Sequence, residues 1–230
     1  MPKLCYDYTM IAFIKSFFTI GAILVILAII SLFIVPRHNP VPATLILQIP
    51  FTSQAPTANW DRNEDCEETS ITMVNAYLNG QSQNTMSASD AQRAINQLKN
   101  WEEVNIGYNA DTGASATTRM AKGAFNLKVR QIKNFTEADL KRALADNHPV
   151  LLPHDARKLG SPKYANGGPD YHMLVIRGWD ETGFIVNDPG TSEGNGNVYT
   201  FETLWNAAAD WNQAKMAMEP DSKIALVLSK

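Results

Sequence analysis

Four residues carry side chains that together suit acyl transfer: Gln54, Cys66, His172 and Asp188. A sulfur attacking a carbonyl needs a base beside it, a group that orients the base, and donors for the oxyanion that forms. Cys66 supplies the sulfur. The stretch Asp65-Cys66-Glu67-Glu68-Thr69-Ser70 reads as a helix start, with Asp65 as N-cap, Glu68 three residues on in a capping-box-like pattern, and apolar Ile71, Val74 and Leu78 following at helical spacing. Backbone N–H groups and the positive end of the helix dipole then favour thiolate over thiol. His172 answers the need for a base and Asp188 the need for an orienting carboxylate. They lie 16 residues apart, on the two arms of a predicted hairpin that turns near residue 181. Which face each side chain takes depends on a register that the sequence leaves open. Gln54, in the loop before the helix, is available to donate its side-chain amide to a tetrahedral intermediate, with the Cys66 N–H as second donor.

Each of these residues has a plainer reading when taken singly. A free cysteine packs well as a small hydrophobe, and Glu67 and Glu68 oppose a thiolate because nearby carboxylates raise a thiol pKa. A lone His172 is by default a hydrogen-bonded core histidine, Asp188-Pro189-Gly190 is a common turn, and Gln54 an ordinary loop glutamine. The chain order Gln, Cys, His, Asp is that of papain-fold enzymes, and it lifts the four above those readings. His154-Asp155 is the other pair that stands out, but with His148 it matches no strong metal-ligand spacing, and the reading is a loop histidine bordering the cleft. The tract TSEGNGN from Thr191 to Asn197 has one carboxylate and no closing Glu, so it reads as a loop and not a calcium site. No metal and no cofactor is expected.

The elements that must position these side chains follow from pattern. Thr44 to Phe51 predicts an opening strand closed by Pro50, and the Cys66 helix ends near Gly80, a C-cap glycine. Ser89 to Asn100 and Ala114 to Phe125 predict helices, the second interrupted by Gly123. Lys128 to Ile132 predicts a strand, Thr136 caps a helix over Glu137 to Asp146, and Val150-Leu151-Leu152 is a buried strand. Tyr171 to Arg177 and Phe184 to Asn187 flank Trp179-Asp180-Glu181-Thr182-Gly183, a hairpin signal. A strand at Asn197 to Thr200, a helix at Phe201 to Trp211 and a closing strand at Lys223 to Leu228 complete the chain. Helices early and strands late predict an α+β fold, a helical layer packed on an antiparallel sheet.

With 230 residues and 45% hydrophobic composition, the chain is long enough for one well-buried domain plus an appendage. Residues 1–16 read as a short tail. From Phe17 to Val35 the sequence FFTIGAILVILAIISLFIV holds no charge for 19 residues, enough to cross about 30 Å of hydrocarbon as a helix. Leu32, Phe33 and Ile34 stand where a cleaved signal would have small residues, so the span reads as an uncleaved signal anchor. Residues 36–43 read as a Pro-containing linker and 44–230 as the folded domain. Lys3 and Lys15 precede the span and Arg37 follows it, which predicts a cytoplasmic N-terminus and a single-pass protein with an extracytoplasmic domain. Cys5 and Cys66 then lie on opposite sides of the membrane and cannot pair within one chain. An unpaired thiol facing an oxidising compartment needs a reason, and catalysis is one. Setting aside the first 40 residues leaves 17 basic and 22 acidic residues with no basic run, which argues against nucleic acid as a partner. The expected partners are a peptide or protein substrate and, through the N-terminal helix, the membrane.

The blocks Pro50-Phe51-Thr52-Ser53-Gln54 and Asp65-Cys66-Glu67-Glu68-Thr69-Ser70, with Met73, Tyr77 and Gly80, resemble the first motif of the bacteriocin-processing (double-glycine leader) peptidase-like family of papain-fold cysteine peptidases. Pro149 to Pro153, Tyr171-His172-Met173-Leu174-Val175-Ile176-Arg177-Gly178-Trp179-Asp180 and Gly183-Phe184-Ile185-Val186-Asn187-Asp188-Pro189-Gly190 complete the resemblance, which spans roughly residues 45 to 228. It implies a papain-like fold in which Cys66 is the nucleophile, His172 the general base, Asp188 the orienting acid and Gln54 the oxyanion donor. Gln54 stands 12 residues before Cys66, a longer interval than in the leader peptidases proper. The expected function is a membrane-anchored thiol peptidase that cleaves peptide or amide bonds through a Cys66 acyl-enzyme. A catalytically silent papain-fold binding module remains open beside it, as does a transpeptidase or cell-wall amide hydrolase using the same nucleophile, since hydrolysis and transfer differ only in what attacks the acyl-enzyme.

Overall fold

In this computed structural model the described residues are 40–60, 64–108 and 110–230, so the tail, the span expected at residues 17–35 and the start of the linker lie outside them. Among the described residues no helix is long and apolar enough to cross a membrane. The chain runs through Leu45–Ile46 (β1), Cys66–Leu78 (α1), Ala88–Asn105 (α2), Ala114–Phe125 (α3), Lys128–Lys133 (β2), Glu137–Ala145 (α4), Val150–His154 (β3), the single turn Ala156–Leu159 (α5), His172–Trp179 (β4), Phe184–Asn187 (β5), Asn195–Tyr199 (β6), Phe201–Ala207 (α6), Asp210–Asn212 (β7), Ala217–Glu219 (β8) and Ile224–Ser229 (β9).

Seven of the strands form one antiparallel sheet in the order β2-β9-β3-β4-β5-β6, with β1 paired to the far end of β4, and β7 and β8 form a separate two-stranded sheet. β3 is buried at all five positions and lies between β9 and β4, which is why its sequence is a continuous apolar run and not an alternating one. Helix α1 packs on β4 and is flanked by α2 and α3. Its first nine residues, Cys66 to Val74, are all buried, so it behaves as a central helix and not as an amphipathic surface one. The result is the expected α+β arrangement of helices over an antiparallel sheet.

Several boundaries differ from the sequence reading, each for a tertiary reason. The opening strand shrinks to two residues of β1 plus an isolated bridge between Phe51 and Thr85, because most of the segment packs against the core without a neighbouring strand. Helix α2 runs on to Asn105 and buries Glu102. Helix α3 passes through Gly123 without a break, because the glycine sits against the Trp101 ring, where a Cβ would come within 2.1 Å of Cζ2. Helix α6 stops at Ala207, since residues 210–212 are drawn into the β7–β8 hairpin, which the sequence reading missed. His154 is no loop residue but the fully buried end of β3, while Asp155 caps α5 by accepting from the Lys158 N–H at 3.1 Å. The Thr136 cap is made as expected, in a reciprocal capping box with Asp139.

Candidate active site

Helix α1 begins at the cysteine, but not through the expected cap. Asp65 has φ −91° and ψ 29° and makes no side-chain cap bond; its carboxylate instead pairs with Lys99 Nζ at 2.7 Å. Glu68 turns inward toward Glu102 on α2. The capping box is therefore absent, and what fixes the helix start is tertiary: Ser70, one turn after Cys66 on the same helix face, donates to the Met173 carbonyl at 3.4 Å. Met173 follows His172 on β4, so this contact sets the thiol beside the start of that strand.

On β4, His172 stands directly opposite His154 of β3, and the two rings meet edge to face with centroids 5.4 Å apart. The β4–β5 ladder pairs Val175 with Asn187, and that register brings Asp188, one residue past β5, to the same face as His172. His172 Nε2 and Asp188 Oδ1 are 2.8 Å apart and both side chains are buried. Burial opposes the Asp188 charge, yet the imidazole and the donors around it outweigh that and hold the carboxyl below its ordinary range. Gly190 makes the turn possible: a Cβ there would sit 2.7 Å from His172 Nε2. Gln54 joins this assembly through its backbone, its N–H donating to the Pro189 carbonyl at 2.9 Å.

Cys66, His172 and Gln54 line one cleft of about 600 Å³ with Glu64, Asp111 and Asp170 among its acidic groups and Trp211, Met216 and Met218 on its apolar side. The structure thus brings all four sequence-predicted residues to one place. The hydrogen bond of the sulfur runs to Glu67 Oε2 at 3.0 Å, not to His172. Glu67 Oε1 accepts the Thr112 N–H at 2.7 Å, which holds the carboxyl in place. Burial and then the adjacent Glu67 push the Cys66 thiol well above its ordinary value. Burial also pushes Glu67 up, to about 8. Asp111 is raised to about 6 by burial and by Glu64.

Two neighbours of the site escaped a correct reading of the sequence. Tyr164, between α5 and β4, donates its hydroxyl to Asp188 Oδ2 at 2.5 Å, and nothing in its local sequence marks it. His154 was noticed but misplaced; burial lowers its pKa to about 4, so it sits as a neutral ring against His172. Among the described residues no group of three or more His, Cys, Asp or Glu side chains could hold a metal ion.

An α+β fold whose central helix begins with a thiol, set beside a strand that starts with a histidine bonded to a carboxylate, defines the class of papain-like cysteine peptidases. The model of the Peptidase_C39 like family matches residues 46–218, and the chain belongs to that family. The crystal structure of a candidate C39-like peptidase from Bacillus anthracis is similar in fold, with a TM-score of 0.54 at 17% identity, covering 82% of this chain and 98% of that one. No curated protein matches the chain.

Proposed function

We propose that this chain is a thiol peptidase that cleaves peptide or amide bonds through an acyl-enzyme at Cys66. The observation that supports this most is the buried 2.8 Å bond between His172 Nε2 and Asp188 Oδ1 in the cleft that Cys66 also lines. With Nε2 engaged by Asp188, Nδ1 is the ring atom left to take the thiol proton. Sulfur then attacks the substrate carbonyl, the Gln54 amide and the Cys66 N–H receive the oxyanion, and the imidazolium returns its proton to the leaving amine. Water, activated by the same imidazole, releases the acyl group. Hydrogen bonds of this kind are often long or diverted before substrate binds, so the Cys66–Glu67 contact describes a resting state in which the thiol still holds its proton. The apolar run at residues 17–35 completes the reading, as an anchor that leaves the domain outside the cytoplasm.

Trapping a thioester with a peptide or ester substrate, lost in Cys66→Ser, tests the chemistry. Alkylation by iodoacetamide tests the base: a dependence of rate on pH unchanged by His172→Ala would sink the role of His172 at the sulfur. Membrane fractionation of the full chain, with protease protection of intact cells or vesicles, tests the anchor and its orientation. A second reading, a silent binding module of the same fold, draws on the raised thiol pKa and on the sulfur's bond to Glu67. Absence of any thioester, with peptides still binding, would favour it.

A further inference from the structure

The catalytic carboxylate proposed above has donors on both of its oxygens. Asp188 Oδ1 accepts from His172 Nε2 at 2.8 Å and from the Gly190 N–H at 3.0 Å. Oδ2 accepts from the Tyr164 hydroxyl at 2.5 Å. The tyrosine ring also meets the His172 imidazole edge-on, with centroids 5.7 Å apart at 85°. Gly190 fits between them, since a Cβ there would lie 2.7 Å from His172 Nε2 and 3.2 Å from Tyr164 Cε1. Phenol, imidazole and carboxylate are therefore packed as one unit.

Tyr164 does not belong to the sheet. It sits on the segment between α5 and β4, which is tied down by its neighbour Lys163, whose Nζ donates to the Glu193 carbonyl at 2.7 Å and to Asn197 Oδ1 at 2.6 Å. Arg157 fastens the far side of the segment through the Gly168 carbonyl and an ion pair with Asp170. The same segment contributes Pro169 and Asp170 to the wall of the cleft.

We propose that Tyr164 is a positioning residue for the catalytic acid: its phenol holds Asp188 ionised with Oδ1 turned to His172, and it makes seating of the 160–170 segment a condition of an assembled site. This rests on the peptidase reading of that site. A hydroxyl donating to a carboxylate favours the anion. Asp188 is fully buried, so without the phenol its Oδ2 loses that donor in a place water does not reach, and the carboxyl protonates or rotates. A neutral Asp188 no longer stabilises the imidazolium that each proton transfer creates. The titratable groups facing Asp188 are His172 on β4, His154 on β3, Tyr164 itself and Tyr199 on β6. Tyr164 keeps its proton through the working range, because burial and then Asp188 push its phenol up.

The test is Tyr164→Phe in the full chain, with Tyr77→Phe, on α1 and outside this cluster, as the control. Expected are a fall in kcat of about tenfold with KM little changed, and an acid limb of the pH–rate profile displaced upward by about one unit. A 13C NMR titration of the Asp188 carboxyl should move in the same direction, and it needs no turnover. The control should move neither. Lys163→Met, which frees the segment but keeps the phenol, should displace the carboxyl the same way by less, and it decides the matter if Tyr164→Phe does not fold. An Asp188 titration unmoved in the variants that fold overturns the inference while leaving the peptidase reading intact. A moved titration in a protein that forms no thioester overturns the peptidase reading and leaves the positioning role standing.

Discussion

Cys66 and Glu67 share a single hydrogen bond, and its direction decides whether the neighbour helps or hinders. While Glu67 is ionised it accepts from the thiol and opposes loss of that proton; while protonated it can donate to a thiolate instead. Removing the charge but keeping a donor therefore lowers the thiol pKa. Glu67→Gln is expected to speed alkylation of Cys66 by about tenfold at pH 9, where the carboxyl, raised to about 8, is ionised, the equivalent of about one pKa unit. A rate unchanged or slower than wild type, in a variant with the native circular dichroism spectrum, would show that the carboxyl does not control the sulfur. Asp188 acts one residue further away, through the imidazole. Asp188→Asn is expected to lower kcat by about 100-fold or more while substrate still binds, measured as a kcat loss at near-constant KM.

Helix α1 and the residue before it bury three acids around Cys66: Asp65, Glu67 and Glu68 are all at least nine-tenths covered. Asp65 has Lys99 as partner. Glu68 faces Glu102 of α2, and two carboxyls so placed cannot both ionise at low cost. Burial, with Glu67 and Glu102 adding to it, raises Glu68 well above its ordinary value, and burial raises Glu102 to about 6. Folded-state values above those of the unfolded chain mean that the folded protein binds more protons through this window. With Glu67 raised as well, to about 8, stability should therefore rise as pH falls from about 8 to about 5, reach its full value near the ordinary carboxylate pKa, and be lost again on returning to alkaline pH. His154, lowered to about 4 by burial, pulls the other way below about 6.5, and Asp188, held below its ordinary value, does so once the pH drops below about 4. Thermal melts across that range check the sign, and Glu68→Gln should flatten the slope. A melting temperature that climbs between pH 5 and 8 would contradict the buried, protonated pair.

At the scale of the molecule, the cleft sets acids against an apolar hairpin. Glu64, Asp111 and Asp170 line it beside Trp211, Met216 and Met218, and Met216 is 62% exposed on the β7–β8 turn. Clefts lined by one sign of charge concentrate ligands of the other sign. Peptides carrying Lys or Arg near the scissile bond are expected to show a kcat/KM about tenfold above matched acidic peptides at low salt, with the ratio shrinking as ionic strength rises. Equal rates at all salt concentrations would show that these acids do not steer substrate.

Residue type and local order made the chemistry legible before any fold was known. Cys66, His172, Asp188 and Gln54 can be picked out as candidates because they stand in the chain order of papain-fold enzymes and in motifs that resemble the leader-peptidase-like family, and the Trp179 to Gly183 turn announces the hairpin that carries two of them. Periodicity likewise shows helices and buried strands where local pattern and packing agree. What only the tertiary structure decided lies where non-local contacts outweigh local preference. Asp65 and Glu68 look like a cap but are drawn to Lys99 and Glu102 by contacts with another helix. Residues 210–212 look helical but pair with a strand that follows them. His154 looks like a loop residue but is buried between His172 of β4 and a bridge to Ala208. The face shared by His172 and Asp188 rests on a register in which a one-residue slip would separate them. Tyr164 reaches Asp188 across 24 residues of chain, a distance over which sequence carries no local signal.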